Sequence, residues 1–267
     1  MTPTTPRIAE LTAPAAWRMV DFISDLHLQA SEPATVAAWE HYMAHTRANA
    51  VFILGDLFEV WVGDDVLDAN DAETPFEAHC AHILRTTAQR CAVFFMHGNR
   101  DFLLGTAFAQ ACGLQLLTDP TALVFGGQRW LLTHGDALCL DDTDYLQFRT
   151  QVRSPEWQAT FLARPLAERR TIARGLRAQS EARKKSGAVY ADVDAAAARH
   201  WLQAAQAREL IHGHTHKPAD HALSPDLQRR VLSDWDAAAT PPRAEVLRLQ
   251  LDAGAVQVQR LATSQAV

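Results

Sequence analysis

The sequence predicts an α/β protein built as one domain, and three observations carry that expectation. Short runs of β-branched and aromatic residues recur as buried strands, stretches with helical spacing separate the first of them, and the polar residues best suited to chemistry fall just past strand ends. In an α/β sheet ligands gather at the carboxyl ends of the strands, so the third observation gives the other two a functional direction.

A Pro/Thr/Ala-rich stretch to about residue 17 is expected to be a flexible leader, with residues 18–267 as the domain. RMVDFIS reads as a buried strand running into the loop DLHL, and Glu32 to Ala48 follows with helical spacing. VFIL is a second strand, ending at Gly55-Asp56; Pro75 to Arg90 is a helix, and AVFFMH is a third strand, ending at Gly98-Asn99. LVF-GGQ-RWLLTH is a hairpin signal, with two glycines as its turn and His134 at the exit of its second strand. Residues 144–206 read as a helical insertion, punctuated at Pro155, Pro165 and Gly187. Its ends must return to His134 and His214, which places it as a lid. LIHGHTH ends a further strand, and RVLSDW, AEVLRLQL and VQVQRL read as a β meander turning at Asp252-Ala253-Gly254.

With 267 residues, 48% of them hydrophobic, the chain can bury a sizeable core, which argues against disorder. Cys80, Cys91, Cys112 and Cys139 form no CxxC pair, so neither a disulfide framework nor a thiolate zinc site is indicated, and a reducing compartment is expected. The first residues lack the basic head and apolar run of a signal peptide, and no apolar stretch is long enough to span a bilayer. The net charge of -6 hides an asymmetry: residues 149–185 hold ten Lys or Arg against three acids, about +7, which leaves about -13 elsewhere. An anionic partner is expected for that segment. Nucleic acid is not, because the basic charge is confined to the insertion, lacks an aromatic stacking platform and sits on an acidic body.

Five short motifs carry the chemistry. Asp25 and His27 stand two apart at the mouth of a strand, where a side-chain period of two would let both hold one ion. Alone, such a D-x-H triplet is more often a turn acid beside a surface histidine. Asp56 follows a separate strand, where a carboxylate can use both oxygens to bridge two cations about 3.5–4 Å apart. Asn99 offers a neutral carbonyl oxygen to a metal and an amide to a phosphate oxygen. His134 in LTHGD and the pair His214 and His216 in HGHTH add imidazoles. The motifs follow in that order, each just past an apolar strand. Carboxylate, amide and imidazole donors without thiolate suit Mn²⁺, Fe²⁺, Co²⁺ or Zn²⁺ better than Mg²⁺ or Ca²⁺.

This order of motifs resembles the calcineurin-like metallophosphoesterase superfamily, which implies a four-layer α/β/β/α sandwich and a binuclear centre. By that resemblance Asp25, His27, Asp56 and His216 would hold one ion, and Asp56, Asn99, His134 and His214 the other. Where many members carry His after Gly-Asn, this chain has Arg100. A diphosphate substrate expels a phosphate ester that needs no proton donor, while a guanidinium can grip its oxygens. The runs GDLFEVWVGDD, HGNRDFLLG, HGDALCLDDTDYLQFR and HGHTHKPA, within residues 19–235, resemble the UDP-2,3-diacylglucosamine diphosphatase family of lipid A biosynthesis.

That second resemblance implies two Mn²⁺ per chain and hydrolysis of UDP-2,3-diacylglucosamine at the α-phosphate, giving UMP and 2,3-diacylglucosamine 1-phosphate. It also implies peripheral attachment to the cytoplasmic face of the inner membrane. Asp56, Asn99, Arg100 and His134 would be catalytic, and Asn99, Arg100, Asp142, Ser180, Lys184, Lys185 and His214 would contact substrate. Trp157, Phe161, Leu162, Leu166, Ile172 and Leu176 are expected to supply apolar lid surface or to pack the lid on the body. A diphosphatase of another nucleotide substrate is the rival enzyme, and a metal-site scaffold without catalysis the rival from another class.

Overall fold

The computed structural model describes residues 6–69, 74–185 and 191–267, with the backbone alone at 74 and 179–185. The chain runs through β1 (Ala9–Thr12), β2 (Met19–Ile23), α1 (Pro33–His45), β3 (Ala50–Leu54), α2 (Thr74–Ala88), β4 (Ala92–Met96), α3 (Thr106–Cys112) and β5 (Gln115–Leu117). It continues with β6 (Thr121–Phe125), β7 (Gln128–Leu132), α4 (Thr143–Val152), α5 (Pro155–Leu162), α6 (Leu166–Lys185) and α7 (Ala195–Ala204). The last strands are β8 (Glu209–His212), β9 (Ala219–Ser224), β10 (Leu227–Val231), β11 (Glu245–Asp252) and β12 (Ala255–Ala262).

The strands form two six-stranded sheets, ordered β12-β11-β2-β3-β4-β5 and β1-β6-β7-β8-β10-β9. β2 to β5 pair in parallel, as do β7 and β8, so six strands point their carboxyl ends toward one region. Every residue of β3 is buried, as a strand covered on both faces requires. The alternation along the strands sorts the layers. Phe22, Phe52 and Phe94 face Leu123, Trp130, Leu132 and Ile211 of the second sheet. Phe52 stacks between Phe22 (centroids 5.0 Å apart) and Phe94 (4.7 Å), one aromatic rung across three strands. Ile23, Ile53 and Phe95 face outward onto Trp39 and Tyr42 of α1, Leu84 of α2 and Phe108 of α3. On the far side, Leu131 and Leu210 meet Ala197, Ala198, Trp201 and Leu202 of α7. The result is the α/β/β/α sandwich.

Two expectations are corrected. The leader is not flexible throughout, because β1 pairs in parallel with β6 from Ala9↔Thr121 to Thr12↔Val124. The insertion does not extend to residue 206 as a lid, because α7 is itself the outer layer of the sandwich. Gly187 lies outside the described residues. α3, β5 and β9 escaped the sequence reading because two are under eight residues long and β9 shows no buried position, leaving too little periodicity to register.

One buried ion pair fastens the first sheet. Arg248 of β11 grips Asp21 of β2 with two bonds, Nε to Oδ1 at 2.7 Å and Nη2 to Oδ2 at 2.8 Å, while Tyr42 of α1 donates to the same Oδ2 at 2.8 Å. Arg248→Met would leave the Asp21 charge buried without its counter-ion. Denaturant titration is expected to show a loss of about 3–5 kcal/mol.

Candidate metal centre

The site lies where the carboxyl ends of β2, β3 and β4 meet those of β7 and β8. Asp25, His27, Asp56, His214 and His216 have left-handed backbones, with φ of 54°, 48°, 52°, 66° and 52°. Non-glycine residues seldom adopt this region, and such strain clusters at functional sites. Asp25 and His27 therefore converge through tight turns and not through the strand period expected for them. The neighbouring glycines permit the close approach: a Cβ on Gly98 would sit 2.0 Å from Asp56 Oδ1, and one on Gly213 would sit 2.2 Å from Asp25 Oδ2.

All seven residues singled out as ligands come together. Asp56 Oδ2 lies 4.0 Å from His27 Nε2 and 3.8 Å from His134 Nε2, so this oxygen stands between two groups of donors. On one side Asp25 Oδ1 is 3.3 Å from His216 Nε2, which is 3.3 Å from His27 Nε2. On the other, Asn99 Oδ1 is 3.1 Å from His134 Nε2 and 2.9 Å from His214 Nδ1. Asp56 Oδ1 accepts from the Arg100 backbone N–H at 2.8 Å, while Oδ2 is the oxygen that faces the histidines on both sides. Asp25 is divided likewise: Oδ2 accepts from His214 N–H at 2.8 Å, while Oδ1 is buried without a hydrogen bond.

This donor set fits divalent cations. His134 Nδ1 is 2.8 Å from the Leu54 carbonyl, to which it must donate, which leaves Nε2, 3.1 Å from Asn99 Oδ1, to carry either a second proton or a cation. His27 Nδ1 is 2.8 Å from Glu59 Oε2, and its Nε2 is 3.3 Å from His216 Nε2. Nitrogen and oxygen atoms this close need a proton or a cation between them. The protonation equilibria express the same demand. Burial works against a cation at His134, yet the carboxylates of Asp56, Asp25 and Asp136 outweigh it and raise the pKa to about 9. His27 is also raised, burial being overcome by Glu59 and Asp56. Burial would lift Asp25, but His216 beside it holds that carboxyl well below the usual range. His214 is pushed down to about 4 by burial and by the charge on His134.

Three acids inside the motifs, unassigned from sequence, hold this geometry. Asp101 accepts from the backbone N–H of Gly98 (2.9 Å), Asp56 (3.3 Å) and Leu57 (2.7 Å), which ties the β3 and β4 loops together. Burial and the nearby Asp56 charge raise it to about 7. Asp101 faces backbone and is not the partner of Arg100, whose Nη1 lies 3.6 Å from Glu59 Oε1. Asp136 accepts from Tyr145 Oη (2.5 Å) and Arg149 Nε (2.8 Å) of α4, and the Tyr145 ring stacks over His214 at 5.9 Å between centroids. The signal for all three was their place one to three residues from a ligand in GDLFE, GNRD and HGD.

Outside the ligand cluster the expectations divide. Arg100 borders the site, with its Nε buried and without a hydrogen bond. Asp142 caps α4, accepting from Tyr145 N–H at 3.2 Å. The side chains of Ser180, Lys184 and Lys185 lie outside the described residues. Much of the charge expected to meet an external anion is matched internally: Arg149 and Arg153 by Asp136, Arg164 by Glu168, Arg169 by Asp65, Arg170 by Glu77 and Arg177 by Glu59. Phe161 is buried in the core, with Trp157 stacked on it at 4.8 Å, whereas Leu162, Leu176 and Phe148 are exposed.

Known proteins resemble this chain over most of its length. A profile of the calcineurin-like phosphoesterase family matches residues 19–218. Three relatives carry the name UDP-2,3-diacylglucosamine hydrolase. The Chromobacterium violaceum protein is 47% identical, covering 81% of this chain and 90% of its own. Those of Bordetella pertussis and Cellvibrio japonicus are each 43% identical, over 86% and 82% of this chain and 90% and 95% of theirs.

A thermal consequence follows from His134. Its pKa is about 9 in the fold against 6.5 for the free side chain, so its proton stabilises the ion-free protein below about pH 6.5, and this contribution is lost as pH rises through 9. Scanning calorimetry with chelator present is expected to show Tm falling between pH 7 and 9. With a divalent cation loaded, which takes the proton's place, that decline should be absent.

Proposed function

We propose that this chain, which belongs to the calcineurin-like phosphoesterase family, hydrolyses the diphosphate of UDP-2,3-diacylglucosamine at the α-phosphate, giving UMP and 2,3-diacylglucosamine 1-phosphate. The observation that carries the reaction class is the pair of donor groups sharing Asp56 Oδ2. Support for the substrate comes from the relatives' shared name and from an arginine after Asn99.

In this reading Asp25, His27, Asp56 and His216 hold one ion and Asp56, Asn99, His134 and His214 the other. Mn²⁺ is the ion we assign, two per chain, as suits carboxylate, amide and imidazole donors without thiolate. When bound, the pair supplies Lewis acidity for phosphate oxygens and a water of lowered pKa. Asn99 directs its carbonyl oxygen at the ion, leaving its amide to donate to a phosphate oxygen. Arg100, a fixed cation whose Nε is unsatisfied, neutralises charge that builds on the diphosphate and holds it in line. His134 keeps its Nδ1 proton on Leu54 O, so it holds its ion through Nε2.

Helices α4 to α6 serve as the lid in this proposal. Phe148, Leu162 and Leu176 offer exposed apolar surface for acyl chains, while Asp142, Ser180, Lys184, Lys185 and His214 contact the polar part of the substrate. No described helix is long and apolar enough to cross a membrane, and an acylated substrate reaches the site by peripheral contact with the cytoplasmic face of the inner membrane.

The test is UMP release from UDP-2,3-diacylglucosamine by ion-stripped protein, with and without added Mn²⁺. Mn²⁺-dependent release is expected; activity only on other diphosphates would keep the centre and overturn the lipid substrate. Asp56→Ala should lower kcat/KM by roughly 10³-fold or more, about 4 kcal/mol of transition-state stabilisation. Arg100→Ala should cost about 2–3 kcal/mol, seen mainly with the diphosphate and little with a simple phosphomonoester. Leu176→Ser is expected to raise KM for the diacylated substrate several-fold more than for its deacylated analogue, and equal effects would argue against an acyl contact.

A further inference from the structure

We infer that Glu59 is a positioning residue joining the ion site to helix α6, so that ion binding at His27 and docking of α6 depend on one carboxylate. The loops after β2 and β3 continue side by side beyond the sheet: His27 N–H donates to Asp56 O at 3.0 Å, Leu28 N–H to Leu57 O at 2.9 Å and Glu59 N–H to Leu28 O at 3.2 Å. This pairing sets Glu59 beside His27. Its two oxygens then serve three groups. Oε2 lies 2.8 Å from His27 Nδ1; Oε1 lies 3.1 Å from Arg177 Nε and 3.6 Å from Arg100 Nη1.

Each contact has a separate consequence. The Oε2 contact, an ion-pair distance of 2.8 Å to Nδ1, holds the His27 ring with Nε2 on the side of Asp56, 4.0 Å from Oδ2, the arrangement in which a carboxylate behind an imidazole strengthens it as a ligand. The Oε1 contact pins α6, because Arg177 reaches Glu59 and, through Nη1, Gln29 Oε1 at 3.1 Å. Arg169 anchors the same helix two turns earlier on Asp65 and the Val62 carbonyl. Arg177 is thus the helix's tie to the ion site itself, and Arg100, at the longer distance, is the partner more readily given up to a phosphate oxygen. The Glu59 side chain is 12% exposed, so these pairs are shielded and worth more than surface ion pairs.

The inference rests on the ion-holding role proposed for His27, and the experiment separates the two without using turnover. Mn²⁺ affinity by titration and amide hydrogen exchange along α6 are measured for the wild-type chain, Glu59→Gln and Arg177→Met. Glu59→Gln is expected to bind Mn²⁺ about 10–100-fold more weakly and to exchange faster over the C-terminal half of α6. Arg177→Met is expected to reproduce the faster exchange while changing affinity by less than about threefold. Unchanged affinity in Glu59→Gln, with a wild-type chain that binds, would overturn the positioning role. Unchanged α6 exchange in both variants would overturn the junction. A wild-type chain that takes up no Mn²⁺ would instead overturn the ion centre on which both readings rest.

Discussion

Asp25 and Asp56 bring two carboxylates into a region almost closed to water, at 0% and 2% exposure, and among the described residues neither is paired with a lysine or arginine side chain. Each spends one oxygen on a backbone N–H and leaves the other facing imidazole nitrogens. Desolvating charges in this way is unfavourable without a counter-charge, which the surrounding imidazoles supply as protons in the ion-free protein and a cation sitting among the same oxygens and ring nitrogens would supply in their place. The left-handed turns, the close-packed glycines and the three supporting acids follow from that requirement. They are what it takes to hold like-charged and lone-pair-bearing atoms together before the cation comes.

The sandwich suits this task because both sheets deliver residues to one edge. β2, β3 and β4 bring the carboxylates, the amide and the imidazole of His27, and β7 and β8 bring the other three imidazoles. Cross-links between the loops keep the two sheets in register there, with His134 Nδ1 donating to Leu54 O and His214 N–H donating to Asp25 Oδ2. The helices that follow β7 are held to the same edge by charge: Asp136 takes Tyr145 and Arg149, and Glu59 takes Arg177. A segment that looks strongly basic in isolation is therefore in large part an internal counter-charge to the acidic body.

The parts of the fold visible in the sequence were those with long or repeated signals. The three buried strands, the Gly126-Gly127 hairpin and the Asp252–Gly254 turn follow from apolar runs and turn chemistry that act locally. α3 and β5 are too short to show a period, β9 lacks a buried face, and β1 is fixed by a strand more than a hundred residues away. Phe161 and Leu162 are neighbours of similar character, yet one is core and the other exposed, a difference set by what α5 packs against.

For the site, the sequence by itself determined which residues offer metal-type donor atoms just past strand ends, and these are the residues that the fold brings together. Only the tertiary structure decided how the donors share the centre. That Asp56 turns one oxygen to a backbone N–H and the other toward His27 and His134, that Asp101 serves backbone, and that Glu59 stands between His27 and Arg177 depend on partners from loops distant in sequence. Those partners are chosen by the approach of the two sheets to within hydrogen-bonding distance, a condition that no local pattern of residues encodes.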